Sequence, residues 1–176
     1  MYPDSNGFKS PTNYSIGQNS DRIKVKQPKA YYKKSGSIKL LEEKAFQAIK
    51  EKYPSVPYPK QPKYRDDTAN GLTKAVIDWL RLEGWQAERI NSTGRKLQIK
   101  GRETWIPSNG QKGTADISAT IKGLSVKLEI KCNATGDKYQ SQEQKDYQKE
   151  IERSGGFYGI VRDFEGFYRW YIKFIQ

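Results

Sequence analysis

The chain has 176 residues, of which 35% are hydrophobic and 30% are charged, with 32 Lys and Arg against 20 Asp and Glu. This length suits one domain with appendages, and the formal net charge of +12 favours a polyanionic partner, most often a nucleic acid. The absence of histidine excludes Ser-His-Asp and Cys-His nucleophiles and histidine-containing zinc sites, so that any catalysis must rely on carboxylates, lysine and a hard divalent ion.

The sequence also bears on location. No stretch approaches the ~18 apolar residues of a membrane span, and the start of the chain lacks the basic-then-apolar order of a signal peptide. Cys132 is the one cysteine, which excludes an internal disulfide and is typical of a reducing compartment. We therefore expect a cytoplasmic protein without a membrane partner. A basic membrane-surface protein would need a more strongly amphipathic helix than residues 38–53 offer.

The first third of the chain differs in composition from the rest. Residues 1–37 lack an apolar period and carry 7 basic against 2 acidic residues, which predicts a flexible basic arm. Apolar residues at near-helical spacing predict a helix over 38–53, which Pro54 ends. Four prolines between 54 and 62 indicate an extended linker through residue 65. We expect the compact domain to occupy residues 66–176.

The next elements are a helix and one or two strands. A stripe of apolar residues between Leu72 and Leu80 predicts a helix over 70–83, and Gly84 suits the left-handed residue that often follows a helix. Residues 85–91 have a strand-like composition. The turn-forming Ser92-Thr93-Gly94 then separates them from a second possible strand around residues 97–99.

Two alternating segments follow and predict a β-hairpin. Ile117, Ala119 and Ile121 share one face of the first segment, and Val126, Leu128 and Ile130 share one face of the second. If Lys122-Gly123 is a two-residue turn, Asp116 lies directly across from Glu129. Lys is not favoured at the first position of such a turn, and a bulge would shift this pairing by one residue.

The opposed acids have two interpretations. Like charges placed directly across a strand pair destabilise the sheet, and a cation between them relieves the repulsion. Asp116 and Glu129 would then bind Mg²⁺ or Mn²⁺, which polarises a phosphodiester and activates a water, while Lys131 presents its charge to that water or to the developing phosphorane. In the second interpretation the hairpin face is exposed and its charges are merely solvated. Spacing alone leaves both interpretations open.

A helix and two more strands are predicted beyond the hairpin. Ser141-x-x-Gln144 matches a capping box, and an apolar face through Ile151 continues the helix until Gly155 and Gly156 end it. Residues 157–161 and 166–175 have the composition of strands that complete the sheet. Aromatic residues alternate with Lys and Arg in the second of these segments, which favours a core face over a base-stacking surface. Cys132 is predicted to be an ordinary strand residue.

The hairpin residues resemble a known signature. Gly113-Thr114-Ala115-Asp116, followed by Leu128-Glu129-Ile130-Lys131, resembles the motif of PD-(D/E)XK nucleases, with Ala115 in place of the usual proline. Arg89-Ile90-Asn91-Ser92 and Ser141-Gln142-Glu143-Gln144 resemble the flanking elements of the VRR-NUC branch. That branch includes small stand-alone phage nucleases and relatives of junction-cleaving enzymes. The resemblance covers roughly residues 66–165.

The resemblance implies a fold and a set of site residues. The fold is α/β, a restriction-endonuclease-like core of order αβββαβ whose mixed central sheet is flanked by helices, here with a basic N-terminal extension. The function is Mg²⁺- or Mn²⁺-dependent hydrolysis of DNA phosphodiester bonds, with branched DNA as one candidate substrate. The predicted catalytic residues are Asp116, Glu129, Lys131 and Gln144. The predicted metal ligands are Asp116, Glu129 and the Ile130 carbonyl, and the predicted DNA contacts are Arg89, Asn91, Ser92, Lys112 and Lys138.

The sequence leaves two features of the site open. The resemblance implies that Gln144 contacts Lys131, phosphate or water at the site, whereas helix capping alone also explains it. The branch usually has a glutamate in its first helix, and Ala69-Asn70-Gly71 has no acid there. Either Asp66 or Asp67 substitutes, or the site holds one ion.

The main alternative to a nuclease is a catalytically degenerate protein on the same fold that only binds nucleic acid or has a structural role. A homodimer would suit a resolvase-like role, which needs two sites on one junction. The cytoplasm is that of the host if a phage encodes the chain.

Overall fold

The computed structural model describes residues 32–90, 95–99, 101–106 and 111–176. Most of the predicted basic arm, residues 1–31, therefore lies outside the described residues. Within the described ranges no helix is long and apolar enough to cross a bilayer. The helices are α1 (Gly36–Lys52), α2 (Ala69–Leu82), α3 (Gln142–Arg153) and α4 (Phe164–Ile175), and the strands are β1 (Gln86–Arg89), β2 (Arg95–Ile99), β3 (Arg102–Ile106), β4 (Ile117–Ile121), β5 (Leu124–Ile130) and β6 (Phe157–Val161).

Four strands form one mixed sheet in the order β1-β4-β5-β6. The pairs β1-β4 and β4-β5 are antiparallel, and β6 joins β5 in parallel. A parallel neighbour requires a crossover, which α3 provides between β5 and β6. The predicted mixed α/β architecture, with a mixed central sheet between helices, is confirmed. From α2 to β6 the elements of this sheet and its helices follow the order helix, three strands, helix, strand.

The β4–β5 hairpin has the register that the sequence predicts. Lys122 and Gly123 both have positive φ, 51° and 77°, as a two-residue type I′ turn requires. Ile121 pairs with Leu124, and the ladder continues to the last pair without a bulge. Lys122 is unusual in this conformation, and its ammonium group donates to the Ile175 carbonyl at the end of α4. The turn is therefore held by a contact with a distant element.

The larger core lies on one face of the sheet. The inward residues of β4 and β5 pack there against α2, and α1 and α4 complete the same core by packing on α2 and on each other. In α1, Ile38 and Leu41 are fully buried, and Glu42 accepts a 2.7 Å hydrogen bond from the Tyr64 backbone N–H. The predicted domain start at residue 66 therefore needs correction, because α1 shares the core and the compact unit is Tyr32–Gln176. On the opposite face α3 covers β6 with a small cluster that includes Tyr147 and Tyr158.

The prediction of a last strand over 166–175 is wrong, because this segment forms the helix α4. Asp163 caps the helix by accepting a 2.7 Å hydrogen bond from the Gly166 N–H. Phe164, Phe167 and Tyr171 are all buried, and their i, i+3, i+7 spacing places them on one helical face. The alternating aromatic residues fit a strand equally well by composition, and the capping residue together with the packing against α2 selects the helix.

The strands β2 and β3 form a separate two-stranded sheet. The predicted strand at residues 97–99 is present within β2, but it does not join the central sheet. Its partner β3 was not predicted. The two strands extend the chain between β1 and β4, outside the hydrophobic core.

Candidate active site

The site lies where β4 begins and β5 ends. Asp116 stands one residue before β4, and continuing the register of the hairpin places it across from Glu129. Two contacts fix Asp116: its carbonyl accepts a 2.8 Å hydrogen bond from the Ile90 N–H, and its Oδ2 accepts a 3.0 Å bond from the Ile130 N–H. The first of the predicted acids is therefore held from both neighbouring strands, β1 and β5.

Glu129 is buried, with 3% of its surface exposed. Its Oε1 accepts a hydrogen bond from Gln144 Nε2 and lies 3.5 Å from Lys131 Nζ, whereas its Oε2 has no hydrogen-bond partner among the described residues. The pKa of Glu129 is raised to about 7, first by burial and second by the charge of Asp116, with Lys131 opposing the rise. The repulsion between the two acids, which the sequence predicts, therefore contributes to the raised pKa of Glu129.

Lys131 is the third member of the predicted set and is 6% exposed. Its Nζ lies 3.0 and 3.2 Å from the two oxygens of Asp137, in addition to its contact with Glu129. Burying a cation is costly without partners, and two carboxylates provide them here. Asp137 was missed at the sequence level. In the sequence, Gly136 is the one sign of a chain reversal before Asp137. Its φ of 77° reverses the chain after a short 3₁₀ turn and returns Asp137 to the end of β5.

Gln144 caps its helix and also contacts Glu129. Its Oε1 accepts a 2.9 Å hydrogen bond from the Ser141 N–H, and Ser141 Oγ accepts from the Gln144 N–H, which completes the predicted capping box. Its Nε2 points the other way and donates to Glu129. Gln144 therefore faces the site, as the resemblance implies, although its partner is Glu129 and not Lys131.

Tyr158 is a second residue that sequence reasoning missed. In the parallel register of β5 and β6 it pairs with Lys127, which places it on the same face as Glu129. It is 5% exposed, and its hydroxyl has no hydrogen-bond partner within the described part of the chain. Burial and the charge of Glu129 raise its pKa to about 12. An aromatic residue in a predicted strand gives no sign of this role.

The predicted DNA contacts lie around this centre where they are described. Arg89 is exposed at the end of β1, one residue before the Ile90 N–H that binds Asp116. Lys112 is exposed, and its positive charge is one of the causes that lower the pKa of Glu143 at the start of α3. Lys138 is exposed, and its carbonyl accepts from Arg162. Asn91 and Ser92 lie outside the described residues.

The loop that carries Lys112 packs tightly against α3. Gly113 has a φ of 79°, and a Cβ at this position would lie 2.3 Å from the Glu143 carbonyl oxygen. Only glycine fits both constraints. The close contact between Gly113 and Glu143 holds the loop before Asp116 against α3, the helix that carries Gln144. One contact therefore helps to position both Asp116 and Gln144.

Asp66 binds elsewhere and does not replace the acid that is absent from the start of α2 at Ala69-Asn70-Gly71. Its Oδ1 accepts a 2.7 Å hydrogen bond from the Tyr32 hydroxyl, and its Oδ2 accepts a 3.1 Å bond from the Phe164 N–H at the start of α4. Asp67 is paired with Arg65. The acids whose charges raise the pKa of Glu129 are Asp116 and Asp137. The carboxylate of Asp66 therefore stabilises the fold by joining Tyr32 to the start of α4.

The donor set at the centre suits a hard divalent ion. It consists of the Asp116 and Glu129 carboxylates and the Ile130 carbonyl, which points to the Asp116 side because the N–H and C=O of a strand residue face the same neighbour. Oxygen donors of this kind are those that Mg²⁺ and Mn²⁺ prefer, and the unpartnered Glu129 Oε2 leaves a buried oxygen for the ion. No group of three or more Asp, Glu or Cys side chains is arranged to hold a metal in residues 32–176 as described, so water or substrate would supply the other ligands.

Comparison with protein-family models, with curated proteins and with solved structures gives no match to this chain. A functional assignment must therefore come from the chemistry of the site.

Proposed function

We propose that this chain is a nuclease of the PD-(D/E)XK type that hydrolyses DNA phosphodiester bonds with Mg²⁺ or Mn²⁺. The observation that carries the proposal is the convergence of Asp116, Glu129 and Lys131 at one end of the β4–β5 hairpin, with a buried and unpartnered oxygen on Glu129. A merely solvated face would leave Glu129 and Lys131 exposed, whereas both are at least 94% buried. Burial of this kind is costly for stability and is typical of functional sites.

The order of the elements supports the same proposal. The resemblance implies a core of order αβββαβ, and the sequence α2, β1, β4, β5, α3, β6 has this order, with the last strand parallel to its neighbour. The predicted acids lie on adjacent strands, Asp116 just before β4 and Glu129 near the end of β5, which supports the resemblance. The net charge of +12 favours a polyanionic substrate.

The residues divide the chemical work between them. Asp116 and Glu129 would hold the ion, which supplies Lewis-acid polarisation of the phosphodiester. Lys131 places a positive charge beside the phosphate, where negative charge develops during cleavage. Gln144 orients Glu129 through its amide, and α3 keeps that amide in place through the capping box. Tyr158 offers a buried hydroxyl donor on the same face, next to Glu129.

One observation favours the second candidate, a degenerate nuclease that only binds DNA. The start of α2, Ala69-Asn70-Gly71, lacks an acid. Of the two acids just before it, Asp66 is occupied by Tyr32 and Phe164 and Asp67 is paired with Arg65. The site therefore has two carboxylates on which to hold an ion. A single ion with two acidic ligands and one carbonyl is sufficient for Mg²⁺, which usually keeps several waters. We prefer the active enzyme for this reason.

Cleavage assays separate the two candidates. The purified protein is incubated with plasmid, fork, four-way-junction and single-stranded DNA in Mg²⁺, in Mn²⁺ and in chelator. We expect cleavage that requires a metal ion and that Glu129→Gln abolishes. The matched control is Glu43→Gln, which also removes one acid but at an exposed position on α1. DNA binding without cleavage under every metal condition would support the binding-only protein, and equal activity in Glu129→Gln and the parent would exclude this site.

A further inference from the structure

The ribbon formed by β2 and β3 has surface properties that the nuclease centre does not use. Among the strands that the structure describes, its two pair only with each other, and Trp105 and Ile99 are 60% and 45% exposed. Residues 95–106 contain one acid, Glu103, which pairs with Lys96 at 3.1 Å. The same segment of the sequence contains four cationic residues: Arg95, Lys96, Lys100 and Arg102. By sequence the segment therefore has a net charge of +3, four cations less one acid, and Trp105 and Ile99 expose apolar surface on it.

Trp105 stands apart from the other tryptophans. The chain has four, and Trp79, Trp85 and Trp170 all belong to or pack against the main core. Trp105 instead lies directly across from Lys96 in the ladder, and side chains in such a pair share one face of the sheet. An indole beside an ammonium group on an open strand pair contributes nothing to the core, so its surface is available to a partner.

The ribbon is tethered close to the site. It begins five residues after Ile90, whose N–H binds the Asp116 carbonyl, and five residues span at most ~18 Å. Its other end leads through residues 107–115 directly to Asp116. Both ends of the ribbon therefore join the chain at segments that flank the first acid, which limits the distance between the ribbon and the centre.

We propose that this ribbon binds unpaired nucleotides of the DNA substrate, with Trp105 stacking on a base and Lys96 contacting the adjacent phosphate. The proposal rests on the proposed nuclease function for its substrate. Stacking on an aromatic side chain requires a free base face, which single strands offer and a closed duplex does not. The favoured substrate class is therefore DNA in which a single-stranded segment adjoins a duplex, such as a flap, a fork or an overhang.

Glu103 provides a second test of DNA binding by the ribbon. It is on the same face as Lys96 and Trp105, because it lies two residues from Trp105 along β3, and it partly neutralises Lys96. Removing its charge leaves Lys96 fully available to phosphate. We expect Glu103→Gln to bind single-stranded and flap DNA more tightly than the parent does, by a few-fold, with a steeper dependence of the binding constant on salt.

The decisive experiment measures binding in chelator, where no cleavage occurs. Fluorescence anisotropy is followed with three labelled probes: a single strand, a duplex with a single-stranded flap and a blunt duplex. We expect Trp105→Ala to weaken binding of the first two by about tenfold, which is within the range for removal of one base stack, and of the blunt duplex by less than about twofold. Tyr58→Ala is the control, since Tyr58 is 93% exposed in the linker. It should change none of the three.

Other results would overturn the proposal. An equal loss with the blunt duplex would mean that Trp105 contacts a duplex groove or its backbone. No loss with any probe would mean that the ribbon does not contact DNA. Unchanged binding together with an altered sedimentation coefficient of Trp105→Ala would assign the ribbon to contacts between copies of this chain. The nuclease proposal fails separately, if the parent binds the probes but cleaves none with a metal present.

Discussion

The described part of the chain contains two β-hairpins that differ in what surrounds them. The β4–β5 hairpin lies in the middle of the sheet, between β1 and β6, and its charged residues Glu129 and Lys131 are buried. The β2–β3 ribbon pairs with no other strand of the described residues, and its Lys96 and Trp105 are exposed. The same motif therefore presents charged side chains in two opposite environments.

The difference has an energetic meaning. Burial removes water from Glu129 and raises its pKa to about 7, so the central hairpin holds an unfavourable charge in place. Such an arrangement is favourable for catalysis, because charged groups that are already fixed in position need no rearrangement during the reaction. Exposed charges on a ribbon cost little and form weak, salt-dependent contacts. This suits the capture of a polyanion. We expect substitutions in the two hairpins to affect different measurements.

The largest expected effect lies in the central hairpin. Lys131→Met should lower the rate of single-turnover cleavage by at least about 100-fold, since it removes a positive charge from the position where negative charge develops. Binding in chelator should change by less than about twofold. Lys127→Met is the matched control, because Lys127 lies on the same strand and face but donates to Ser118 Oγ. Similar losses in both variants would mean that general positive charge, and not the position of Lys131, matters.

The second expected effect is a pH dependence that only the central hairpin should show. At the proposed site a metal ion would bind the ionised form of Glu129 and would have to displace a proton when the pKa is about 7. Mn²⁺ or Mg²⁺ should therefore bind about tenfold more tightly at pH 8 than at pH 6, as measured by titration calorimetry in several buffers. Protons should be released on binding at pH 6. The same affinity at both pH values would contradict the perturbed carboxyl.

The metal-free protein provides an independent check of the same pKa. Because the folded-state pKa of Glu129 is raised from 4.5 to about 7, the folded protein binds more protons than the unfolded chain between these pH values. Its stability therefore falls as pH rises through this window. In chelator at pH 8, Glu129→Gln should melt at a higher temperature than the parent. The advantage should disappear near pH 4, where both carry a neutral side chain.

The third expected effect concerns the basic residues before the fold. Deleting residues 1–31, which contain five basic residues against two acidic ones, should weaken binding to all DNA probes alike. The slope of log K against log salt should flatten by up to ~0.9 for each duplex phosphate that these residues neutralise. The deletion should stop at residue 31, since the Tyr32 hydroxyl donates to Asp66 and Lys34 pairs with Glu42. An unchanged slope would mean that these residues do not bind DNA.

The smallest expected effect separates the two roles of Gln144. Gln144→Glu keeps a side chain that can complete the capping box, but places a third negative charge beside Glu129. In chelator it should lower the melting temperature at pH 8 and leave it nearly unchanged at pH 5. Ser141→Ala removes the cap at a cost of about 1 kcal/mol at both pH values and should leave cleavage nearly intact. Equal pH responses of the two variants would show that Gln144 acts only as a cap.

The sequence predicted the central hairpin well because several local rules agree there. The alternation of apolar residues specifies the two strands, and a two-residue turn at Lys122-Gly123 specifies one register, which the structure has. The same holds for α3, where Ser141 and Gln144 form the predicted capping box. In both cases the deciding interactions connect residues that are close in sequence.

Features that depend on distant contacts were predicted poorly. The strand expected at 166–175 is a helix, because packing of Phe164 and Tyr171 against Trp79 selects one of two periods that the aromatic residues fit. The site residues Asp137 and Tyr158 were missed for the same reason, since each reaches the centre through a turn or a neighbouring strand. The helix α1 was placed outside the domain, because nothing near residue 38 indicates that Ile38 contacts the core.

Asp66 has a consequence for the order in which the molecule folds. Its carboxylate joins residues 34 positions earlier and 98 positions later in the chain, and its carbonyl accepts from Cys132 Sγ beside the end of β5. Contacts of such long range require loops to close first and are slow to form. During synthesis, the partner Tyr32 is available to Asp66 from the start, whereas Phe164 emerges only after the whole central hairpin and α3 have been made.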